Sequence, residues 1–415
     1  MRITSSPVVR LWGLLAASGL SMVGDGVALV ATPWLVLKVT NSPVDLGVAL
    51  ALQTAVFAIV LVMSSPLADR HNAATVAVAA NLASAGSLSL IPMAYAMHRL
   101  SLPLIVVAMC LTQGTQAPAV GARQRLIRSK AVAARVTLRR ANSVYWILQQ
   151  IGISVGAPVG GVLIYLLGAP NVLGIDAASF LIAAAIVAVV GDSEDGDDVR
   201  TWGDLRHRGT YWGDLVAGVK VVVMTPALRL IGGCALILNG FDGALLTVLV
   251  PVAIRDQHQS VRSLGILGGI YAVGMMIGAT VGGAVGTRIS VKRLAAICVS
   301  AVGIGYLLLG TDPQFMAMGI GLVGVASGPL MPLLLTTIQT SVPTEVLSRV
   351  TGSMFAVLVS SAPIGMLIVG MVAHSWSVAY VCYGGSGAFL IAGATIAIRG
   401  NVLEQVPPQT STSLG

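Results

Sequence analysis

Long runs of apolar residues alternate along the chain with short polar stretches. A helix needs roughly 20 mostly apolar residues to cross about 30 Å of membrane hydrocarbon, and twelve runs reach that length. Their approximate limits are residues 11–37, 46–67, 75–96, 103–122, 143–166, 173–191, 227–252, 263–286, 294–310, 315–337, 350–372 and 378–398. The pattern predicts an all-α integral membrane protein with twelve transmembrane helices.

The second half of the chain repeats features of the first half at a nearly constant offset. Asp25 in the first span corresponds to Asp242 in the seventh at an offset of 217 residues, and Pro33 corresponds to Pro251 at an offset of 218. An even number of spans per half gives both halves the same orientation in the membrane. We therefore expect two six-helix bundles related by a pseudo-twofold axis along the membrane normal, with a substrate cavity between them.

The longest polar stretch separates these two halves, from Gly191 to about Lys220. A solvated hinge is the simplest account of its acidic and basic runs. We predict four regions: an N-terminal six-helix half at residues 1–191, a cytoplasmic linker at 192–222, a C-terminal six-helix half at 223–400 and a cytoplasmic tail at 401–415.

The basic residues are distributed unequally between the two sides of the predicted membrane. Of the 24 lysines and arginines, all but Lys38, Arg99, Arg255 and Arg262 fall on the side that holds both termini. The positive-inside rule therefore predicts cytoplasmic termini in the inner, or plasma, membrane. The chain is 56% hydrophobic and only 10% charged, with a net charge of +8 that this placement explains without a nucleic-acid partner.

A short motif follows the second span and recurs in the second half. The sequence reads Ser65-Pro66-Leu67-Ala68-Asp69-Arg70, and its repeat reads Gly283-Ala284-Val285-Gly286-Thr287-Arg288. A turn that carries a carboxylate and a guanidinium can make or break ion pairs as helices move, which makes Asp69, Arg70 and Arg288 candidate gating residues. Alternatively, Arg70 anchors the topology and Asp69 caps a helix.

The fifth span contains a second motif, Gly152-Ile153-Ser154-Val155-Gly156-Ala157-Pro158-Val159-Gly160-Gly161. Glycines four residues apart form a groove for a partner helix, and a proline inside a helix permits a bend. We select Gly152, Gly156, Pro158, Gly160 and Gly161 as candidates for a conformational role. Generic helix packing explains the same residues equally well.

The two motifs resemble those of the major facilitator superfamily. The loop motif is similar to its Gly-x-x-x-Asp-Arg stretch, with Ser65 in place of the usual glycine, and the fifth span is similar to its antiporter motif, with the proline displaced by one position. With Gly24-Asp25-Gly26 and Ile175–Phe180, the chain resembles the bacterial drug exporters of that superfamily that include macrolide, Tap-like multidrug and enterobactin exporters. The arginine motif that many proton antiporters carry in the fourth span is absent, since Leu111–Gly114 occupies that region.

Three acidic residues fall within the predicted spans, namely Asp25, Asp176 and Asp242. Ionisable groups are costly in hydrocarbon and usually mark an ion or substrate path. Because Asp25 and Asp242 occupy equivalent places in the two halves, we select both as proton-coupling candidates. The alternative is a structural carboxylate bonded to backbone or to Asn239. Asp176 stands near the predicted start of the sixth span, where an N-cap is the favoured role.

Uncharged polar and aromatic residues within the spans are candidates for the substrate cavity. Each of them alone is more often an interhelical hydrogen bond or an interface anchor. The candidates are Gln53, Gln113, Gln116, Trp146, Gln149, Asn239, Tyr271 and Gln339.

The sequence lacks motifs of common enzyme classes, with no HExxH and no Walker lysine loop. The four cysteines are far apart and indicate neither a disulfide framework nor a metal site. We therefore expect no enzyme activity, no cofactor and no metal, with a proton gradient as the energy source.

The combined expectation is a secondary active exporter of hydrophobic or amphiphilic small molecules that works as a proton antiporter by alternating access. Its expected partners are the substrate, protons and membrane lipids, and a monomer is expected to suffice. A flippase for lipids or lysophospholipids and a siderophore exporter on the same fold remain alternatives. A nutrient importer and a non-transporting receptor or scaffold are further alternatives.

Overall fold

The computed structural model describes residues 6–70, 72–191, 220–286, 288–341 and 344–403. Most of the predicted linker and nearly all of the predicted tail lie outside these ranges, so both assignments stay predictions. The side chains of Asp69, Arg70 and Gln339 also lie outside the described residues.

Six long helices form the first half of the chain. Their bounds are α1 Pro7–Thr40, α2 Pro43–Arg70, α3 Ala73–Ala96, α4 Leu102–Ala133, α5 Leu138–Leu167 and α6 Ala169–Gly191. Each is long and apolar enough to cross a membrane, which confirms the first six predicted spans.

Six further spans follow in the second half, and two of them are irregular. The span α7, Pro226–Asp256, contains a π-helical turn at Leu245–Leu249, and α10 consists of two pieces, Met316–Ser327 and Leu330–Ser341. The remaining helices are α8 Val261–Val285, α9 Val291–Thr311, α11 Thr344–Ser375 and α12 Val378–Arg399. Twelve candidate membrane helices in the described part of the chain agree with the sequence pattern and make this a multi-pass membrane protein.

The boundary between α5 and α6 is set by a glycine and a proline. Gly168 has a φ of 82°, in the left-handed region that glycine adopts readily, and it ends α5. Pro170 then sits in the first turn of α6, where a missing N–H breaks no hydrogen bond. The helix thus begins at Ala169, so Asp176 lies about two turns inside it. The predicted N-cap role of Asp176 is wrong.

Two compact units are formed by the chain. The first contains α1 to α6 together with Asp242–Ala272 and Ala362–Val378, and the second contains the remaining parts of the second half. Within the first unit, α1 packs mainly on α5 and α6, and α3 packs on α4 and α6. Within the second, α9 packs on the first piece of α10. The units divide α7, α8 and α11 internally, whereas the predicted domain boundaries follow the repeat.

Candidate functional site

A pair of carboxyl groups lies inside the first unit, one from α1 and one from α6. The two helices approach each other at Gly24, where a β-carbon would collide with Asp176 Oδ1 and lie 2.6 Å from Ser179 Oγ. The close approach brings Asp176 near Asp25, and the two carboxylates interact electrostatically. Two neighbouring carboxylates repel each other when both are ionised, so the pair favours states in which a proton or a cation neutralises part of its charge.

The two carboxyls differ in their surroundings. Asp176 is only 3% exposed, and Ser179 Oγ donates a hydrogen bond of 3.2 Å to its Oδ1. Asp25 has many protein atoms around it, yet its side chain remains exposed. Asp25 is therefore the accessible member of the pair, and Asp176 lies behind it.

Arg123 of α4 contributes the positive charge of this site. Its guanidinium is close enough to Asp25 to interact electrostatically with the carboxylate. The sequence favoured a topology signal over a binding patch for Arg123, because the residue belongs to a run of basic residues near the end of a span. Asp25, Asp176 and Arg123 together form what we call the carboxyl site, with one residue each from α1, α6 and α4.

Asp242, the counterpart of Asp25 in the repeat, has a different partner. Tyr271 Oη of α8 donates a hydrogen bond to Asp242 Oδ1. Asn239 does not bond this carboxylate, since its amide donates to the Leu358 carbonyl and, over 3.2 Å, to Ser361 Oγ on α11. The predicted alternative of an Asn239 pin on Asp242 is therefore wrong, and Tyr271 is the residue that holds the carboxylate.

Among the other predicted cavity residues, Gln116 and Trp146 have defined contacts. Gln116 Nε2 donates to Ser84 Oγ at 3.0 Å, which is an interhelical hydrogen bond between α4 and α3. Trp146 is exposed and packs edge-on against Tyr145. Half-buried side chains are found at Gln53, Gln113 and Gln149.

The glycines of the fifth-span motif pack α5 against α1. A β-carbon at Gly156 would lie 2.8 Å from Gly26 Cα, and one at Gly160 would lie 3.0 Å from Val27 Cα. A β-carbon at Gly152 would lie 2.7 Å from the Met22 carbonyl carbon. These contacts give the motif the helix-packing role that the sequence offered as an alternative.

The opposite face of α5 contacts α8 within the same unit. A β-carbon at Gly161 would lie 3.1 Å from Gly265 Cα, and one at Gly269 would lie 2.6 Å from the Pro158 ring. The motif residues therefore join helices of the two sequence repeats. A conformational role for this joint stays a prediction, as it does for Arg288, which is exposed.

Helices of the two repeats also meet at the end of the first unit that lies away from Pro7, which we call the distal end. Arg255 Nη1 of α7 donates to the Asn41 carbonyl at 3.0 Å, just past the end of α1. The Arg262 guanidinium of α8 lies 3.6 Å from the centre of the Tyr165 ring of α5. The distal end is thus closed by charged contacts between described residues of both repeats.

Comparison with known proteins gives consistent relatives over most of the chain. The sequence model of the Major Facilitator Superfamily matches residues 14–230 and 232–412. The chain is 25% identical over 361 residues to the multidrug efflux pump Tap of Mycolicibacterium fortuitum, covering 85% of this chain and 86% of that protein. It is 24% identical over 410 residues to the enterobactin exporter EntS of Escherichia coli O1:K1 / APEC, covering 95% and 93%.

Solved structures of transporters share the fold. The crystal structure of the nucleoside transporter NupG matches with a TM-score of 0.76 at 12% identity, covering 94% of this chain and 98% of that one. A bacterial homolog to the human lysosomal transporter Spinster, in an inward-facing and unoccupied conformation, matches with a TM-score of 0.69 at 12% identity and 97% coverage of both chains. At such low identity these matches establish the fold alone.

Proposed function

The chain belongs to the major facilitator superfamily, and from that membership we propose that it exports hydrophobic or amphiphilic small molecules in exchange for protons. That it is a membrane transporter rather than an enzyme follows from the family. Export is supported by the Tap and EntS relatives, both of which are named as exporters. We further propose that both termini are cytoplasmic, in the plasma membrane, and that a monomer is the working unit.

The observation that carries proton exchange is the carboxyl site. A transmembrane carrier of protons needs a group that is charged in one state and neutral in the other, at a depth where an uncompensated charge is costly. Asp25 is accessible, while Asp176 adds a second carboxyl beside it and Arg123 supplies a positive charge. Loss of a proton from Asp25 leaves a carboxylate whose charge interacts favourably with the Arg123 guanidinium.

Alternating access is supported by the closed distal end. Substrate release at that end requires the contacts of Arg255 with Asn41 and of Arg262 with Tyr165 to separate. Each is a small charged or cation–π contact at an exposed position, and such contacts typically contribute less than about 1 kcal/mol. Weak contacts of this kind suit an end that opens and closes in every cycle.

The substrate class rests on two relatives and remains open between two kinds of molecule. Similarity to a multidrug efflux pump favours drug-like amphiphiles, and similarity to an enterobactin exporter favours a siderophore. The same cavity chemistry would serve both, because small-molecule sites are generally lined by apolar walls with a few polar groups.

A reconstituted system tests this function directly. Purified protein in liposomes is given an imposed proton gradient and a panel of fluorescent amphiphilic cations and catechol compounds, and transport of each is compared with and without the gradient. We expect gradient-driven transport of at least one compound, lost in Asp25→Asn and retained in Asp45→Asn, a matched change at the start of α2.

Equal transport in wild-type protein with and without the gradient would refute proton exchange. Gradient-independent movement of a headgroup-labelled lipid, with no movement of the panel compounds, would instead favour the flippase alternative.

A further inference from the structure

A small cavity with four polar lining residues lies inside the first unit, between α1, α3, α4 and α6. Its polar lining consists of Ser18 and Ser21 from α1, Asn81 from α3 and Arg123 from α4, and the rest of the lining is apolar. The cavity has room for about one water molecule. It is separate from the distal end, since its α1 residues lie on the Pro7 side of Asp25.

Two of the lining atoms have no hydrogen-bond partner in the protein. Ser21 is 1% exposed and Asn81 is 3% exposed, and Ser21 Oγ and Asn81 Oδ1 are both left unpaired. Buried polar atoms are nearly always hydrogen-bonded to protein or to ordered water. A water molecule in the cavity would satisfy both atoms, because a bound water commonly has two to four polar partners.

The neighbouring polar residues of α3 are different, because they already have partners on α4. Ser84 Oγ is 2.7 Å from Thr115 Oγ1, and Ser87 Oγ is 2.9 Å from Thr112 Oγ1. Asn81 lies about one turn from Ser84 on α3, and its Oδ1 has no partner. The unpaired atoms therefore coincide with the cavity and not with the polar interface as a whole.

The cavity adjoins the carboxyl site along three of its helices. Ser18, Ser21 and Asp25 are three and four residues apart, so they share one face of α1. Ser21 lies about 6 Å along the helix axis from Asp25, towards the end that begins at Pro7. Arg123 lines the cavity and also interacts electrostatically with Asp25.

We propose that this cavity binds water and provides the passage by which protons move between Asp25 and the end of the first unit that begins at Pro7. The proposal rests on the proposed proton exchange and adds a route that runs between α1, α3, α4 and α6. The charged and titratable groups around it are Asp25 of α1, Asp176 of α6 and Arg123 of α4, and the lining from α3 contributes no titratable side chain.

The proton balance of the passage is simple. The water in the cavity accepts the proton of Asp25 and passes one of its own protons to solvent water at the end of the first unit that begins at Pro7, so the cavity itself gains no net charge. The carboxylate left on Asp25 interacts electrostatically with the Arg123 guanidinium. The Ser21 hydroxyl and the Asn81 carbonyl oxygen hold the water by accepting its hydrogen bonds, and the hydroxyl can also donate one.

Two substitutions at Ser21 distinguish the effect of losing the hydroxyl from the effect of losing the space for water. Ser21→Ala removes the hydroxyl and leaves the space, whereas Ser21→Val fills the space. We expect Ser21→Val and Asn81→Leu to slow gradient-driven transport of a panel compound by about tenfold or more, with Ser21→Ala affected less. Exchange of the same compound across liposomes without a gradient should stay at the wild-type rate, because no net proton movement is needed.

A matched control is Ser89→Val, a half-buried serine of α3 that does not line the cavity and whose hydroxyl bonds the Ala85 carbonyl. A substrate-free readout is the rate of carboxyl protonation after a pH jump, followed by infrared difference spectroscopy, with the Asp25 band assigned through Asp25→Asn. Ser21→Val should slow this protonation without changing its final extent.

Wild-type rates in both Ser21→Val and Asn81→Leu would overturn the passage and leave a purely structural water. Equal loss of gradient-driven transport and gradient-free exchange would also overturn it, since that result indicates a packing defect. If Asp25→Asn keeps gradient-driven transport, the proposed proton exchange itself fails. If Asp25→Asn loses it while the cavity variants do not, only the passage fails.

Discussion

Gly24 of α1 lies directly against the carboxyl of Asp176 in α6, with no room for a β-carbon between them. This contact sets the distance between the two helices that form the carboxyl site. We predict that Gly24→Ala pushes α6 away, costs about 1–3 kcal/mol of stability and reduces gradient-driven transport. Thermal unfolding and liposome transport check both effects.

The control for Gly24→Ala is Gly86→Ala in α3, where an added β-carbon meets nothing within 4 Å. It should leave transport unchanged and should not lower the melting temperature. Wild-type transport in Gly24→Ala would show that the Asp25–Asp176 spacing is not critical.

The two carboxyls of the site should act as one unit. We predict that Asp25→Asn and Asp176→Asn each strongly reduce gradient-driven transport, and that the residual rate of the double variant is no lower than that of the worse single variant, because interacting residues are not additive. The measurement is a double-mutant cycle, which compares the transport rates of the wild-type protein, the two single variants and the double variant. Independent effects that multiply in the double variant would contradict a shared proton site.

Asp242 is expected to play a different part from Asp25. If its main role is the bond from Tyr271, then Asp242→Asn keeps an acceptor and should retain most transport, whereas Tyr271→Phe leaves the carboxylate without that donor and should cost about 1–3 kcal/mol. Unfolding measurements on both variants provide the check. Complete loss of gradient-driven transport in a well-folded Asp242→Asn would make Asp242 a proton carrier after all.

The distal end should open more readily when its charged contacts are removed. We predict that Arg255→Ala together with Arg262→Ala increases the rate at which a water-soluble thiol reagent labels a cysteine placed at Thr40, in a background without the four native cysteines. Arg99→Ala, an exposed arginine in the turn between α3 and α4, is the matched control. An unchanged labelling rate in the double variant would show that these arginines do not keep the distal end closed, and would leave the glycine contacts between α5 and α8 as the cause.

The twelve spans could be predicted because lipid imposes a strong and simple constraint on sequence. A run of apolar residues long enough to cross the membrane has almost no other stable structure there. Helix ends were harder to predict, since Gly168 and Pro170 fix the start of α6 through backbone geometry rather than hydropathy. The hydropathy pattern started this helix four residues too late, and it therefore placed Asp176 near the helix start and suggested a cap.

The carboxyl site could be predicted only in part. Asp25 was identifiable because a carboxylate within an apolar run is rare, but its partners come from helices distant in sequence. In the sequence, Arg123 looks like the other basic residues around it. Only the packing of α4 near α1 shows that Arg123 is the one that interacts with Asp25. Gly24 was the one local hint, because a glycine within a span permits close approach of a second helix.

The π-helical turn at Leu245–Leu249 accounts for a small irregularity in the repeat. The offset between the halves is 217 at Asp25 and Asp242 but 218 at Pro33 and Pro251, so one residue is added in the second half between these points. A π turn accommodates such an addition within a helix that continues beyond it. Without the turn, one extra residue would rotate everything beyond it by about 100° around the helix axis. The insertion is thus absorbed over a few residues next to Asp242, and the two halves can differ in local geometry there while the rest of α7 keeps the direction that the repeat requires.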